Sequence, residues 1–162
     1  MFHLRIILFL FSFNMFGNGP IVETPLPSRK VIVKLMIVAA NNLSECKFEQ
    51  SLEASSLALK YAIDSDDDYL VAQSYNMIAA NYEELSEVDK EIFYYKKGLS
   101  YPNRTTNDII KNSLNNNLGN MYCFETKNLD QGINYYEKAI EYSTNIASAR
   151  GTYITKTNLA WA

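Results

Sequence analysis

Between positions 31 and 162, apolar residues recur at three- and four-residue spacing, the mark of helices with one buried face. Leu114, Leu118, Met121 and Tyr122 share such a face. Phe124–Asn128 then interrupts it with turn-forming residues, and Ile133, Tyr136, Ala139 and Ile140 begin a second stripe. Two amphipathic stretches joined by a short turn predict a helical hairpin.

The same hairpin is written more than once. YYEKAIEY at 135–142 echoes YYKKGLSY at 94–101 and, more faintly, ASSLALKY at 54–61. Aligned this way, Tyr61, Tyr101 and Tyr142 form one column, and Ala58, Gly98 and Ala139 a second. Val38-Ala39, Ile78-Ala79, Leu118-Gly119 and Leu159-Ala160 form a third, and every step is 40 or 41 residues. The spacing divides the chain into units at about 32–71, 72–111 and 112–152, with a truncated fourth from 153. The one extra residue of the third unit is expected in the loop between Tyr122 and Leu129. Small residues belong where two helices approach closely, because a larger side chain there overpacks at a cost of about 1–3 kcal/mol. The large tyrosines and leucines are expected to fill the space between hairpins. A lone hairpin leaves its stripe wet, so the units must stack. Ser65-x-x-Asp68, Ser86-x-x-Asp89 and Thr105-x-x-Asp108 resemble capping boxes and predict helix starts. The fold class read from the pattern is therefore all-α, a solenoid of antiparallel helix hairpins with a period of about 40 residues.

Asn117-Leu-Gly-Asn-Met-Tyr122, with Ala139 downstream, resembles the tetratricopeptide repeat. Tyr75, Ile78, Ala79, Tyr82, Tyr95 and Gly98 repeat the resemblance in the second unit, and Val38, Ala39, Phe48 and Ala58 more loosely in the first. The resemblance covers residues 31–162 and implies a right-handed superhelix whose first helices line a concave groove. Three departures stand out: the period exceeds the family's about 34 residues, the proline at the repeat end is absent, and Glu91 stands where a small residue is usual. The extra residues fall around Asp64–Leu70, Asn103–Ile109 and Thr144–Gly151, as a longer first helix or a longer turn between hairpins.

The family register places Met36, Ala40, Asn76, Glu83, Asn116, Asn120, Phe124 and Trp161 on the groove, with Asn117 and Asn158 beside them. The expected peptide-binding set is Asn76, Asn116, Asn117, Asn120, Phe124, Asn158 and Trp161. An amide side chain donates and accepts at once, so a row of asparagines suits an extended backbone whatever its sequence. A basic clamp for a partner's terminal carboxylate has only Lys34, Lys111 and Lys156 to draw on. Asp66-Asp67-Asp68 reads as helix capping rather than a cation site.

Composition narrows the partners. The net charge is −3 and the pI near 5.2, which gives no general attraction to nucleic acid. The only histidine is His3. No catalytic triad, phosphate loop or metal-ligand spacing follows from the remaining residues, so neither an enzyme nor a cofactor is expected. Cys46 and Cys123 read as two separate thiols. Asn103-Arg-Thr105 matches a glycosylation acceptor.

At the N-terminus, Arg5 precedes an apolar run, Ile6–Phe16, broken only by Ser12 and Asn14, with Gly17 and Gly19 after it. Residues 1–19 therefore read as a signal peptide or a hydrophobic N-terminal segment, and 20–30 as a linker. Thr157–Ala162 reads as the opening helix of a fourth unit, leaving an apolar edge at Leu159 and Trp161, as in a piece of a longer protein. The layout is similar to the extracytoplasmic sensor region of bacterial membrane-anchored regulators. The partner expected is a protein or peptide segment, with membrane contact only through the N-terminal segment or a C-terminal helix beyond Ala162. A free envelope scaffold and a cytoplasmic peptide receptor are the alternatives.

Overall fold

The computed structural model describes residues 27–101 and 107–162, so the expected signal segment lies outside them, as do Thr105 and the Asn103 acceptor motif. The described residues form seven α-helices and one π-helical turn, with no strand among them. The helices are α1 (Arg29–Ser44), α2 (Phe48–Asp64), α3 (Asp68–Glu84), α4 (Val88–Ser100), α5 (Asp108–Asn120), α6 (Leu129–Asn145) and α7 (Ala149–Trp161). The π turn, Met121–Glu125, continues α5 without a break. Helix α1 opens at Arg29, two residues inside the stretch read as a linker.

Helices α1 and α2, α3 and α4, and α5 and α6 pack as hairpins, and each hairpin leans on the next through α2–α3, α4–α5 and α6–α7 contacts. The odd-numbered helices also touch in series, α1 on α3, α3 on α5 and α5 on α7, whereas α2, α4 and α6 do not touch one another. A stack whose odd helices crowd together and whose even helices splay apart curves with the odd helices inside. This puts the first helix of each hairpin on the concave face.

The described turns share one design. Helix α2 ends with Asp66 N–H donating to Ile63 C=O (3.0 Å) and Asp67 N–H to Ala62 C=O (3.1 Å), and α1, α3 and α6 end in the same way. This paired closure satisfies carbonyls that a helix end leaves open. It holds Cys46, Asp66, Ser86 and Ala147 at φ of 59°, 51°, 56° and 52°, a region where a side chain is disfavoured. The turns between hairpins at 65–67 and 146–148 are as short as those within them. At these two junctions the long period resides in 17-residue helices (α2, α3 and α6), whereas the 13-residue helices α4 and α5 are separated by the longer connection 101–107.

Two local expectations need correction. Helix α3 is capped by Asp67, whose carboxylate accepts from Leu70 N–H at 3.0 Å, and α5 by Asn107, accepting from Ile109 N–H at 3.1 Å. Ser65 instead closes the preceding helix, donating to Ala62 C=O at 3.1 Å. Ser86 sits at the left-handed turn position, so the hydroxyls belong to helix ends rather than helix starts. The extra residue of the third unit lies inside the helix, not in the loop. It is absorbed by the π turn, where Thr126 N–H donates five residues back to Met121 C=O at 3.0 Å.

The seams between hairpins are dry. Tyr95, Ile110, Leu114, Leu118 and Met121 form one buried cluster with Ala72 and Ala79; Ile32, Ala58, Ala62, Leu70 and Val71 form another. Tyr101 packs against both, and Tyr61 of the same column packs against the second. The small column behaves as expected. A methyl group on Gly98 would sit 3.0 Å from a Leu114 methyl, and one on Gly119 would lie 2.5 Å from the Tyr136 ring. Cys46 is exposed, Cys123 is buried, and both are free thiols. Among the described residues, no helix is long and apolar enough to cross a membrane.

Candidate functional site

The asparagines expected on the groove are brought together, but they bond one another. Asn117 on α5 donates to Asn76 on α3 at 3.1 Å. Asn158 on α7 donates to Asn116 and Asn120 on α5, at 3.2 and 3.1 Å. Each bond joins the first helices of successive hairpins. An amide carries two donors and two acceptor sites, so these bonds orient the groups and leave capacity toward the groove. Asn120 is the most occupied, because its carbonyl also accepts from the Tyr136 hydroxyl at 2.8 Å.

Phe124 is partly exposed beside them, whereas Trp161 stands at the end of α7 with 79% of its surface free, apart from the rest. Tyr153 on the same helix is also exposed, and Leu159 is half-buried. On α1, Met36 is half-buried and Ala40 exposed. The three lysines of the expected clamp, Lys34, Lys111 and Lys156, stand one each on α1, α5 and α7. Lys111 is committed to Asp108 (3.2 Å) and lies over the Tyr142 ring (5.3 Å). Asp67 caps α3 and pairs with Arg29.

Two concavities stand out among the described residues. The larger, about 770 Å³, lies between α6 and α7 and is walled largely by small residues, including Ala147, Ala149 and Ala160. Within its lining the Ser143 and Thr152 hydroxyls bond each other at 2.7 Å, and Thr144 and Thr157 donate to the backbone carbonyls of Ile140 and Tyr153. The smaller, about 340 Å³, opens where the end of α3 and the start of α4 meet the π turn and α7. Glu83, Glu91 and Glu125 line it with Asn120, Phe124 and Asn158, and no basic side chain does. Three residues of the expected peptide-binding set thus share a pocket with three carboxyl groups.

Glu91 is the unusual member. Only 2% of its surface is exposed, and its Oε1 has no hydrogen-bond partner. The carboxyl is pushed up to about 8, first by burial and then by the like charges of Glu83 and Glu125. Glu83 is also raised, chiefly by burial, although the Tyr95 hydroxyl donates to it at 3.2 Å and opposes the shift. Lys90, the neighbour of Glu91 in the chain, pairs with Glu87 at 3.2 Å instead. Leaving a carboxyl buried and unpaired is costly, and such groups concentrate at functional sites. Among the described residues, no three His, Cys, Asp or Glu side chains are grouped so as to hold a metal ion.

Sequence reasoning reached this pocket only in part. Glu83, Asn120, Phe124 and Asn158 were on the expected groove, and Glu91 was visible as a misfit in a small column. Glu125 carried no signal, because the π turn that presents it is not legible from residue spacing.

Residues 72–104 and 113–146 each match the family profile for the tetratricopeptide repeat. The matches coincide with hairpins two and three, the pair that frames the acidic pocket. A search of curated proteins finds no match. Fold and repeats together define a helical solenoid of the protein-interaction class.

Proposed function

We propose that this chain binds an extended polypeptide segment along its concave face, held by the linked amides of α3, α5 and α7. The observation that carries the reading is the set of bonds that Asn117 donates to Asn76 and Asn158 donates to Asn116 and Asn120. These fix a row of donors and acceptors at the spacing of successive hairpins. Pre-oriented groups lose less entropy when a ligand docks.

The test is a selection of random dodecapeptides on the immobilised protein, followed by affinity measurement on an Asn116→Ala/Asn117→Ala variant. With about 1 kcal/mol for each lost hydrogen bond, affinity falls about tenfold or more while helicity stays intact. Selected peptides that bind the variant as tightly contradict the reading.

The finer reading places the scaffold outside the cytoplasm, as the sensor part of a membrane-anchored regulator; the apolar run Ile6–Phe16 after Arg5 supports export. N-terminal sequencing of the expressed protein tests it. A start near residue 20 in an exported fraction supports export, and an intact Met1 in a soluble cytosolic fraction favours the cytoplasmic receptor. An apolar run of about 20 residues encoded past Ala162 supports the sensor, and its absence supports the free scaffold.

A further inference from the structure

The acidic pocket lies on the concave face beside the amide row, and it is built for a charge. Its walls hold three carboxyl groups and no cation. One of those groups, on Glu91, is almost wholly buried with an oxygen that bonds nothing. The same column holds Ser51 in the first hairpin and Gly132 in the third. Ser51 is buried and spends its hydroxyl on Ala39 C=O at 2.8 Å. Gly132 packs so closely that an added methyl would lie 2.2 Å from Cys123 Sγ. Both neighbours close the seam; only hairpin two inserts an ionisable group and leaves it unpartnered. The π turn, found in no other described helix, carries Phe124 and Glu125 to the mouth of the same pocket.

We propose that this pocket receives an arginine side chain of the bound polypeptide. The guanidinium is planar, carries five donors and sheds water more readily than an ammonium. Carboxyl groups from α3, α4 and the π turn offer acceptors on several sides, and the Phe124 ring offers a face on which a guanidinium stacks. Lysine supplies three donors on a strongly hydrated point and makes poor use of the ring. The inference rests on the polypeptide-binding reading for its physiological ligand, but the pocket is testable without a peptide.

Arginine binding is linked to pH. In the free protein Glu91 faces Glu83, itself bonded to Tyr95 and next to Glu84, on one side and Glu125 on the other. Lys90 is held by Glu87. Ionised Glu91 is therefore disfavoured until a cation arrives, and binding expels its proton. Affinity accordingly strengthens as pH rises toward and through about 8.

The experiment is a titration of the full chain with Nα-acetyl-argininamide, followed by backbone amide shifts at pH 6.5 and 8.5. The expected result is saturable shifts centred on residues 91, 120, 124 and 125, with at least fivefold tighter binding at pH 8.5. Affinity should fall at least tenfold in Glu91→Gln. Should Glu91→Gln fail to fold, Glu125→Gln, on an exposed residue, is expected to lose affinity severalfold. Equal binding by a folded Glu91→Gln or Glu125→Gln variant overturns the proposal. So does equal binding of Nα-acetyl-norleucinamide, and equal binding of Nα-acetyl-lysinamide overturns the assignment to arginine. Argininamide bound here while peptides ignore the Asn116→Ala/Asn117→Ala change removes the amide row and keeps the pocket. Peptides bound through the amides with no argininamide shift removes the pocket alone.

Discussion

Hairpins two and three are versions of one unit, yet they use its central seam in opposite ways. In hairpin three, Gly119 lies flush under the Tyr136 ring and Gly132 against Cys123, so the backbones approach as closely as side chains allow. In hairpin two the matching positions are Ala79, fully buried, and Glu91, which drives a carboxyl into the seam and leaves one oxygen unpartnered. The contrast separates what the fold needs from what it tolerates. A tight, buried seam suffices to pack the two helices of a hairpin, as hairpin three shows. A buried carboxyl at the same place opposes stability, and it sits where the groove bends into a pocket. Local violations of packing rules of this kind are where function is expected.

The contrast can be broken from either side. The largest effect is expected from Gly132→Ala, whose new methyl meets Cys123 Sγ at 2.2 Å, its backbone nitrogen at 3.0 Å and the Gly119 carbonyl at 3.1 Å. With backbone on two sides, little can yield. The loss lies at or above the upper end of the overpacking range of about 1–3 kcal/mol. In thermal unfolding this appears as a fall of about 6–12 °C.

Glu91→Leu acts in the opposite direction and depends on pH. The folded-state carboxyl is raised to about 8 from an ordinary 4.5, so the folded protein holds a proton that the unfolded chain has released. Stability from this group is therefore complete below about 4.5, declines as pH rises, and is gone above about 8. The variant lacks that decline. At pH 9 it is expected to be more stable than the parent by about 1–4 kcal/mol, and the difference is smallest near pH 4.5 and below. Denaturant unfolding at both pH values measures the difference.

Tyr136→Phe leaves the ring on Gly119 and removes only the hydroxyl bond to Asn120 (2.8 Å), with an expected cost of about 1 kcal/mol. Smallest is Ala147→Gly, at a turn held at φ 52°; relief of the left-handed strain is expected to stabilise by about 0.5–1 kcal/mol, read as a rise in thermal midpoint of about 1–4 °C.

Much of the architecture was legible because it repeats. The columns through Tyr101 and Gly98 identified buried contacts, and the helical spacing of Leu114, Leu118 and Met121 gave a real core face. The turns were less legible. Ser65 and Ser86 resemble helix starts because a hydroxyl three residues before a carboxylate has the same form wherever it falls. Only the hydrogen bonds show Asp67 taking the cap and Ser65 closing the helix before it. A slip of one residue between repeats is visible in the numbering, but a loop and a π turn absorb it equally well on paper. The choice at Met121–Glu125 is made by packing in three dimensions, and with it the placement of Glu125. The asparagines were expected on the groove, whereas their bonds to each other depend on how closely α3, α5 and α7 approach.

The carboxyl of Glu91 is the point on which the account turns, and it can be observed directly. Carbon-13 NMR of the glutamate side-chain carboxyls, followed from pH 3 to pH 10 in the parent protein and in Glu91→Gln, resolves it. The account predicts one carboxyl with a midpoint of about 8 that vanishes in the variant. A set of glutamates that all ionise near the ordinary value of 4.5 contradicts it.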